Sequence, residues 1–189
     1  PHTATVRLAQ TLGRTNSKSA LAHSMKPFNP TYYEAHWYGP YDMVELEELR
    51  DPNFVLYLIC GTHSMYGRSV PLYIGMTKQL LRDRISQHSS WLRDEADPPQ
   101  IYAAAISEMT CWEQVKDKLE YPPPEDRTII EDIESLLIYA HQLAYNQRSK
   151  QGGNRHNRDI VVFNTGKRSG LLPEVSTMNW YGDTPASAA

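Results

Sequence analysis

Behind three consecutive prolines, Pro122 to Pro124, the apolar residues Ile129, Ile130, Ile133, Leu136, Leu137, Ala140 and Leu143 recur at the 3.6-residue period of an amphipathic helix. The spacing predicts a helix over about Glu125 to Ala144, whose apolar stripe needs a second layer to bury against. Short apolar runs offer that layer. Phe54-Val-Leu-Tyr-Leu-Ile-Cys60, bounded by Pro52 and Gly61, has the β-branched and aromatic content of a buried strand, and Val70-Pro-Leu-Tyr-Ile-Gly75 reads as its antiparallel partner. Gly61 to Ser69 is then a long hairpin loop, and Pro71 puts the second strand at a sheet edge or marks its beginning. Ile101-Tyr-Ala-Ala-Ala-Ile106 is a third strand or, given its three alanines, a helix. Leu80, Leu81, Ile85 and Trp91 or Leu92 predict a helix over Lys78 to about Arg93, with Thr77 as its cap.

These elements occupy residues 51–147, a core with extensions on both sides. Residues 1–50 are basic and then aromatic. Leu8, Leu12 and Leu21 are the apolar anchors of a short helix in an arm, and Tyr32, Tyr33, Trp37, Tyr38 and Tyr41 lie among prolines as a loop that plugs a core edge with rings, or as a surface for bases or sugars. Residues 148–189 hold a basic, glycine-containing loop, a strand at Ile160 to Phe163, turns at Gly166, Gly170 and Pro173, and Trp180 and Tyr181 as docking anchors.

The formal charge of −3 argues against a protein that coats nucleic acid through overall positive charge, yet its distribution is uneven. Basic segments, residues 1–30 and 142–170, flank an acidic middle and could meet phosphates on one face. The longest apolar runs are far short of the roughly 20 residues that cross a bilayer, so no membrane association is expected. The first thirty residues lack the apolar stretch of a secretory signal, and two cysteines, Cys60 and Cys111, are too few for a disulfide framework; the expected compartment is the cytoplasm. Cys60 and His63 have no second ligand pair, which favours a buried thiol over zinc. A start at Pro1 fits removal of an initiator methionine, a trimmed chain and a domain of a longer protein equally well.

Tyr57 and Tyr73 stand in consecutive predicted strands, and a helix follows the second at once. Arg84 and His88, four residues apart, share one face of that helix, whereas Arg82 projects about 160° away. Tyr73-Ile-Gly-Met-Thr-Lys-Gln-Leu-Leu-Arg-Asp-Arg-Ile-Ser-Gln-His88 resembles the second half of the signature of the GIY-YIG nucleases, and Glu134-Ser-Leu-Leu-Ile-Tyr-Ala-His-Gln-Leu-Ala-Tyr-Asn146 is similar to their metal-binding motif. The resemblance covers residues 54–146, about half the chain. Val55-Leu56-Tyr57 stands where the family reads Gly-Ile-Tyr, so the tyrosine is kept and the glycine lost.

The resemblance implies an α/β (α+β) fold in which a three-stranded, mostly antiparallel sheet is flanked by helices. It also implies a metal-dependent DNA endonuclease, expected to be sequence-specific and of restriction type, acting on double-stranded DNA with Mg²⁺ or Mn²⁺. One carboxylate can hold such an ion when water and phosphate complete the shell, and the pattern assigns this to Glu134 rather than Glu131. Arg84 would neutralise charge on the phosphoryl oxygens. Tyr57 would be the general base, its phenol ionised with help from Arg84, the metal and His88. Tyr73 would order the attacking water, and Asn146 would hold the end of the Glu134 helix. His63, Lys78 and Tyr139 are weaker candidates, and His141 shares Glu134's side of the helix. Arg148, Lys150, Asn154, Arg155 and Arg158 are the side-chain types that meet phosphates or pair with G and A edges. Implied partners are DNA, a second copy of the chain in a homodimer, and a cognate methyltransferase or immunity protein. The competing readings are an unselective repair or toxin nuclease, a catalytically silent nucleic-acid-binding module, and an unrelated α/β domain.

Overall fold

The computed structural model describes residues 27–109, 124, 126–150 and 158–180. The elements run β1 (Thr31–Tyr41), α1 (Met43–Glu48), β2 (Phe54–His63), β3 (Gly67–Met76), α2 (Leu81–Ser86), α3 (Ser89–Leu92), β4 (Gln100–Met109), α4 (Thr128–His141), β5 (Ile160–Gly166), β6 (Glu174–Ser176) and α5 (Thr177–Trp180). The predicted arm helix, Cys111 and Tyr181 lie outside the described residues. No described helix is long and apolar enough to cross a membrane.

The fold is mixed α and β, but its sheet has six strands rather than three, in the order β3-β2-β4-β1-β5-β6. Strands β3, β2 and β4 are the expected antiparallel trio. Against that trio β1 adds antiparallel to β4, and β5 joins β1 in parallel. The aromatic stretch is thus an interior strand and not a loop. Tyr33, Ala35 and Trp37 are buried at alternate positions, the period of a strand with one face in the core. The Trp37 indole N–H donates to Asn164 Oδ1 at 2.9 Å, tying β1 to β5 through a buried polar pair.

Both faces of the sheet are covered near the trio. On one, Leu56, Leu58, Ile74 and Ala104 pack against Ile133, Leu136 and Leu137 of α4. On the other, Tyr57, Ile59, Ile101 and Ala103 meet Leu46, Leu81, Ile85 and Leu92 from the three short helices. β4 lies between β2 and β1, so it needs apolar residues facing both ways; this makes Ile101 to Ile106 a strand despite its alanines.

Three predicted boundaries change. The hairpin strands are ten residues each, so Gly61 and Gly67 lie within them and the connection shrinks to residues 64–66. Gly67 has φ +91, a left-handed conformation that favours glycine. Pro71 sits beside a register shift on β3, the sheet's edge strand, where a missing N–H is tolerated. The helix expected over Lys78 to Arg93 is two short ones. Thr77 does not cap it; its hydroxyl accepts from Gln79 N and donates to Gln79 O. Helical hydrogen bonding restarts at His88, whose carbonyl accepts from the N–H groups of Trp91 and Leu92. The long helix α4 forms as expected in its interior, beginning at Thr128 and ending where Gln142 turns left-handed at φ +50; Glu125 lies outside the described residues.

Candidate active site

The register of the β2–β3 hairpin places Tyr57 opposite Gly75. A Cβ on Gly75 would stand 2.4 Å from the Tyr57 hydroxyl and 2.8 Å from Cε1 of Tyr73, so this glycine makes room for the tyrosine ring. Tyr57 is fully buried. Its hydroxyl lies 2.8 Å from His88 Nε2 and accepts from Arg84 Nε at 3.1 Å. Arg84 also donates from Nη1 to Gln87 Oε1 at 2.6 Å. The break between α2 and α3 does not separate Arg84 from His88, because both reach the same oxygen. Tyr73 stacks beside Tyr57 with ring centroids 5.9 Å apart and lies 4.7 Å from the His88 ring.

Glu134 and Asn146 approach from the α4 side, along the outer edge of β3. Among the described residues this edge has no neighbouring strand, so its backbone groups take other partners. Tyr145 N donates to Leu72 O at 3.0 Å. The Asn146 amide accepts from Ile74 N at 3.0 Å and donates to Ile74 O at 2.8 Å, both buried. Glu134 Oε1 accepts from Met76 N at 2.9 Å. Asn146 therefore holds the chain after α4 against β3, while Glu134 is anchored at the end of that strand. Glu131, whose charge adds to the rise of the Glu134 pKa, pairs with Lys78 at 2.9 Å on the surface.

Charge links the two halves. Burial pushes the Glu134 carboxyl above its ordinary value, and the Met76 N–H, Arg84 and Arg148 pull it back. Burial raises the Tyr57 phenol strongly, with Tyr73 adding to the rise and Arg84 opposing it. The cation beside Tyr57 thus only partly offsets desolvation, and the phenol is protonated at neutral pH in the resting protein. Burial, with Arg84 assisting, lowers His88 and favours its neutral form.

The remaining predicted residues separate into groups. Arg148 is exposed and near enough to Glu134 to act on its charge. Lys150 Nζ donates to Ala144 O at 3.3 Å, beyond the C-terminal end of α4. Arg158 pairs with Asp126 at 2.8 Å and lies 3.8 Å from Asp132, near the start of α4 and not at Glu134. Asn154 and Arg155 lie outside the described residues. His63 stacks on Tyr66 beside the hairpin connection, and Tyr139 O accepts from Gln142 Nε2 at 2.7 Å. A cleft of about 420 Å³, lined in part by His36, Glu45 and Lys167, includes Trp37, Tyr38 and Tyr41 from the aromatic stretch but none of the predicted catalytic, metal-binding or basic DNA-contact residues. The candidate site is therefore located by the side chains that converge on Tyr57 and not by cleft volume.

His141 is a tether to the C-terminal segment. Its Nδ1 faces Leu137 O at 2.8 Å and its Nε2 accepts from Leu172 N at 2.8 Å, which requires a neutral ring with the proton on Nδ1. Burial lowers its pKa from 6.5, against the pull of Leu137 O. Because the folded value lies below the unfolded one, the unfolded chain takes up the proton first as pH falls. This contribution to stability is complete above about pH 6.5 and declines below it toward the folded value. Thermal melts should therefore show Tm falling between pH 7.5 and 5.5, with a shallower decline in His141→Gln.

Sequence spacing did not single out the backbone amide of Met76 or the side chain of Gln87. The Met76 amide acquires its partner, Glu134, through tertiary contact, whereas Gln87 meets Arg84 locally, three residues away, and belongs to no motif. No protein-family model, curated protein or solved structure matches the chain.

Proposed function

We propose that the chain is a metal-dependent endonuclease that hydrolyses phosphodiester bonds in double-stranded DNA. The observation that carries this reading is the meeting of Arg84 and His88 on the Tyr57 hydroxyl, beside a Glu134 carboxylate that feels the Arg84 charge. Among the described residues no three His, Cys, Asp or Glu side chains converge as a metal-ligand cluster. The donor set instead fits Mg²⁺ or Mn²⁺ bound by a single carboxylate, with Glu134 Oε1 held by Met76 N and Oε2 left for the ion. When bound, such an ion polarises the phosphoryl group and stabilises charge on the leaving oxygen.

The protein's own groups handle the proton and the substrate. Tyr57 oxygen receives hydrogen bonds from Arg84 and, with the proton on His88 Nε2, from the imidazole; both favour ionised phenol against the effect of burial. Tyr57, protonated at rest, would first give up its own proton to solvent and then, as phenolate, accept the proton of the attacking water. Arg84 Nε and Nη1 are committed to Tyr57 and Gln87, leaving Nη2 to meet a phosphoryl oxygen. Tyr73 borders this position from β3.

Supercoiled plasmid incubated with purified protein and Mg²⁺ or Mn²⁺ should be nicked or linearised, and excess EDTA should stop the reaction. Discrete fragments would support restriction-type selectivity, with Arg148 as a DNA contact; scattered breaks would replace it with unselective cleavage. Intact plasmid in the presence of either ion would reject the nuclease reading.

A further inference from the structure

Trp91 lies on α3, one turn beyond His88, and its indole N–H points to His88 Nδ1 at 3.4 Å. An indole N–H donates and cannot accept, so this contact requires an unprotonated Nδ1. The neutral imidazole that burial favours must then carry its proton on Nε2, the nitrogen 2.8 Å from the Tyr57 hydroxyl. From the other side Arg84 Nε, also a donor, reaches the same oxygen at 3.1 Å. We propose that Trp91 is a positioning residue that sets the His88 tautomer, so that Tyr57 oxygen faces two donors and its own proton is directed away from both.

The opposite tautomer would place a bare Nε2 against Tyr57. The phenol would then donate to histidine, and His88 would oppose ionisation instead of favouring it. Trp91 is held for this task by its surroundings. Its ring meets Tyr145 edge-on at 4.9 Å and lies 6.2 Å from Tyr73, while the Tyr145 hydroxyl donates to Glu95 Oε1 at 2.8 Å. Among the described residues, the groups shown against His88 are Tyr57 from β2, Tyr73 from β3, Arg84 from α2 and Trp91 from α3, and none of these is a carboxylate that would draw the proton to Nδ1.

The tautomer assignment follows from geometry alone; its catalytic consequence rests on the nuclease reading. Nitrogen-15 NMR of the imidazole rings, with His88→Gln used to identify the signal, distinguishes the two. Wild-type protein at pH 7.5 should show His88 with Nε2 protonated and Nδ1 bare. Trp91→Phe keeps the ring but removes the donor, and should bring in the Nδ1-protonated form together with a roughly 3- to 10-fold fall in kcat at little changed KM, as expected for one hydrogen bond. A protonated Nδ1 in the wild type overturns the proposal even if the variant does not fold. An unchanged tautomer in folded Trp91→Phe also overturns it. Correct tautomers in a protein that cleaves no DNA would uphold the assignment and reject only the nuclease reading.

Discussion

Glu134→Gln should reduce Mg²⁺-dependent DNA cleavage by on the order of 10³-fold while leaving the fold and most DNA binding in place. The size follows from removal of the only carboxylate assigned to the ion, a loss of several kcal/mol of charge stabilisation in the transition state. The substitution is nearly isosteric, and the glutamine carbonyl can still accept from Met76 N, the contact that anchors Glu134 to the end of β3. Gel-shift binding in Ca²⁺ and plasmid cleavage in Mg²⁺ separate the two effects. Cleavage at the wild-type rate by the folded variant would remove Glu134 from the metal site. The change also eliminates a carboxyl whose pKa burial has raised, so it tests charge without creating a cavity.

Asn146→Leu should destabilise the protein by about 2–4 kcal/mol, a fall in Tm of roughly 5–15 °C. Both ends of the amide pair with the Ile74 peptide, where β3 has no strand beyond it. Leucine has similar volume and can partner neither group, which leaves a buried N–H and a buried carbonyl unsatisfied. The loss would be felt at the site because Ile74 lies two residues before Met76, the anchor of Glu134, and next to Gly75 beneath Tyr57. A melt within a degree of wild type would show that water or a neighbour can replace the amide. The same residue therefore has a structural duty that stands whether or not the protein is a nuclease.

The interior of α4 was legible because its apolar residues recur every 3.6 positions, and β2, β3 and β5 because each is a short apolar or β-branched run. β1 was hidden for a physical reason. Pro30 precedes it and Pro40 lies within its end like loop punctuation, and Glu34, a charged residue, is buried on the face opposite Tyr33 and Ala35. Its carboxylate meets the Thr165 hydroxyl from β5, a partner far away in sequence, so both faces of the strand are buried there and the polar positions of Tyr33-Glu34-Ala35-His36-Trp37 do not mark a solvent face. The helix after β3 was misjudged in length because Leu81, Ile85 and Leu92 keep helical spacing across a break at His88.

For the candidate site, the order of Tyr57, Tyr73, Arg84, His88, Glu134 and Asn146 along the chain was enough to group them by resemblance. It did not reveal that Asn146 completes a strand edge, that His141 ties α4 to Leu172, or that Arg158 is paired with acids at the start of α4. Periodic burial and residue chemistry are local properties, written within a few turns or one strand. Which strand is left at the edge, and which side chain satisfies it, depends on surfaces brought together from distant parts of the chain. The amino-acid order alone thus determined the main helix, the hairpin strands and a set of reactive groups; tertiary packing decided the six-stranded sheet and the partners of each group, because pairing and desolvation arise only when those surfaces meet.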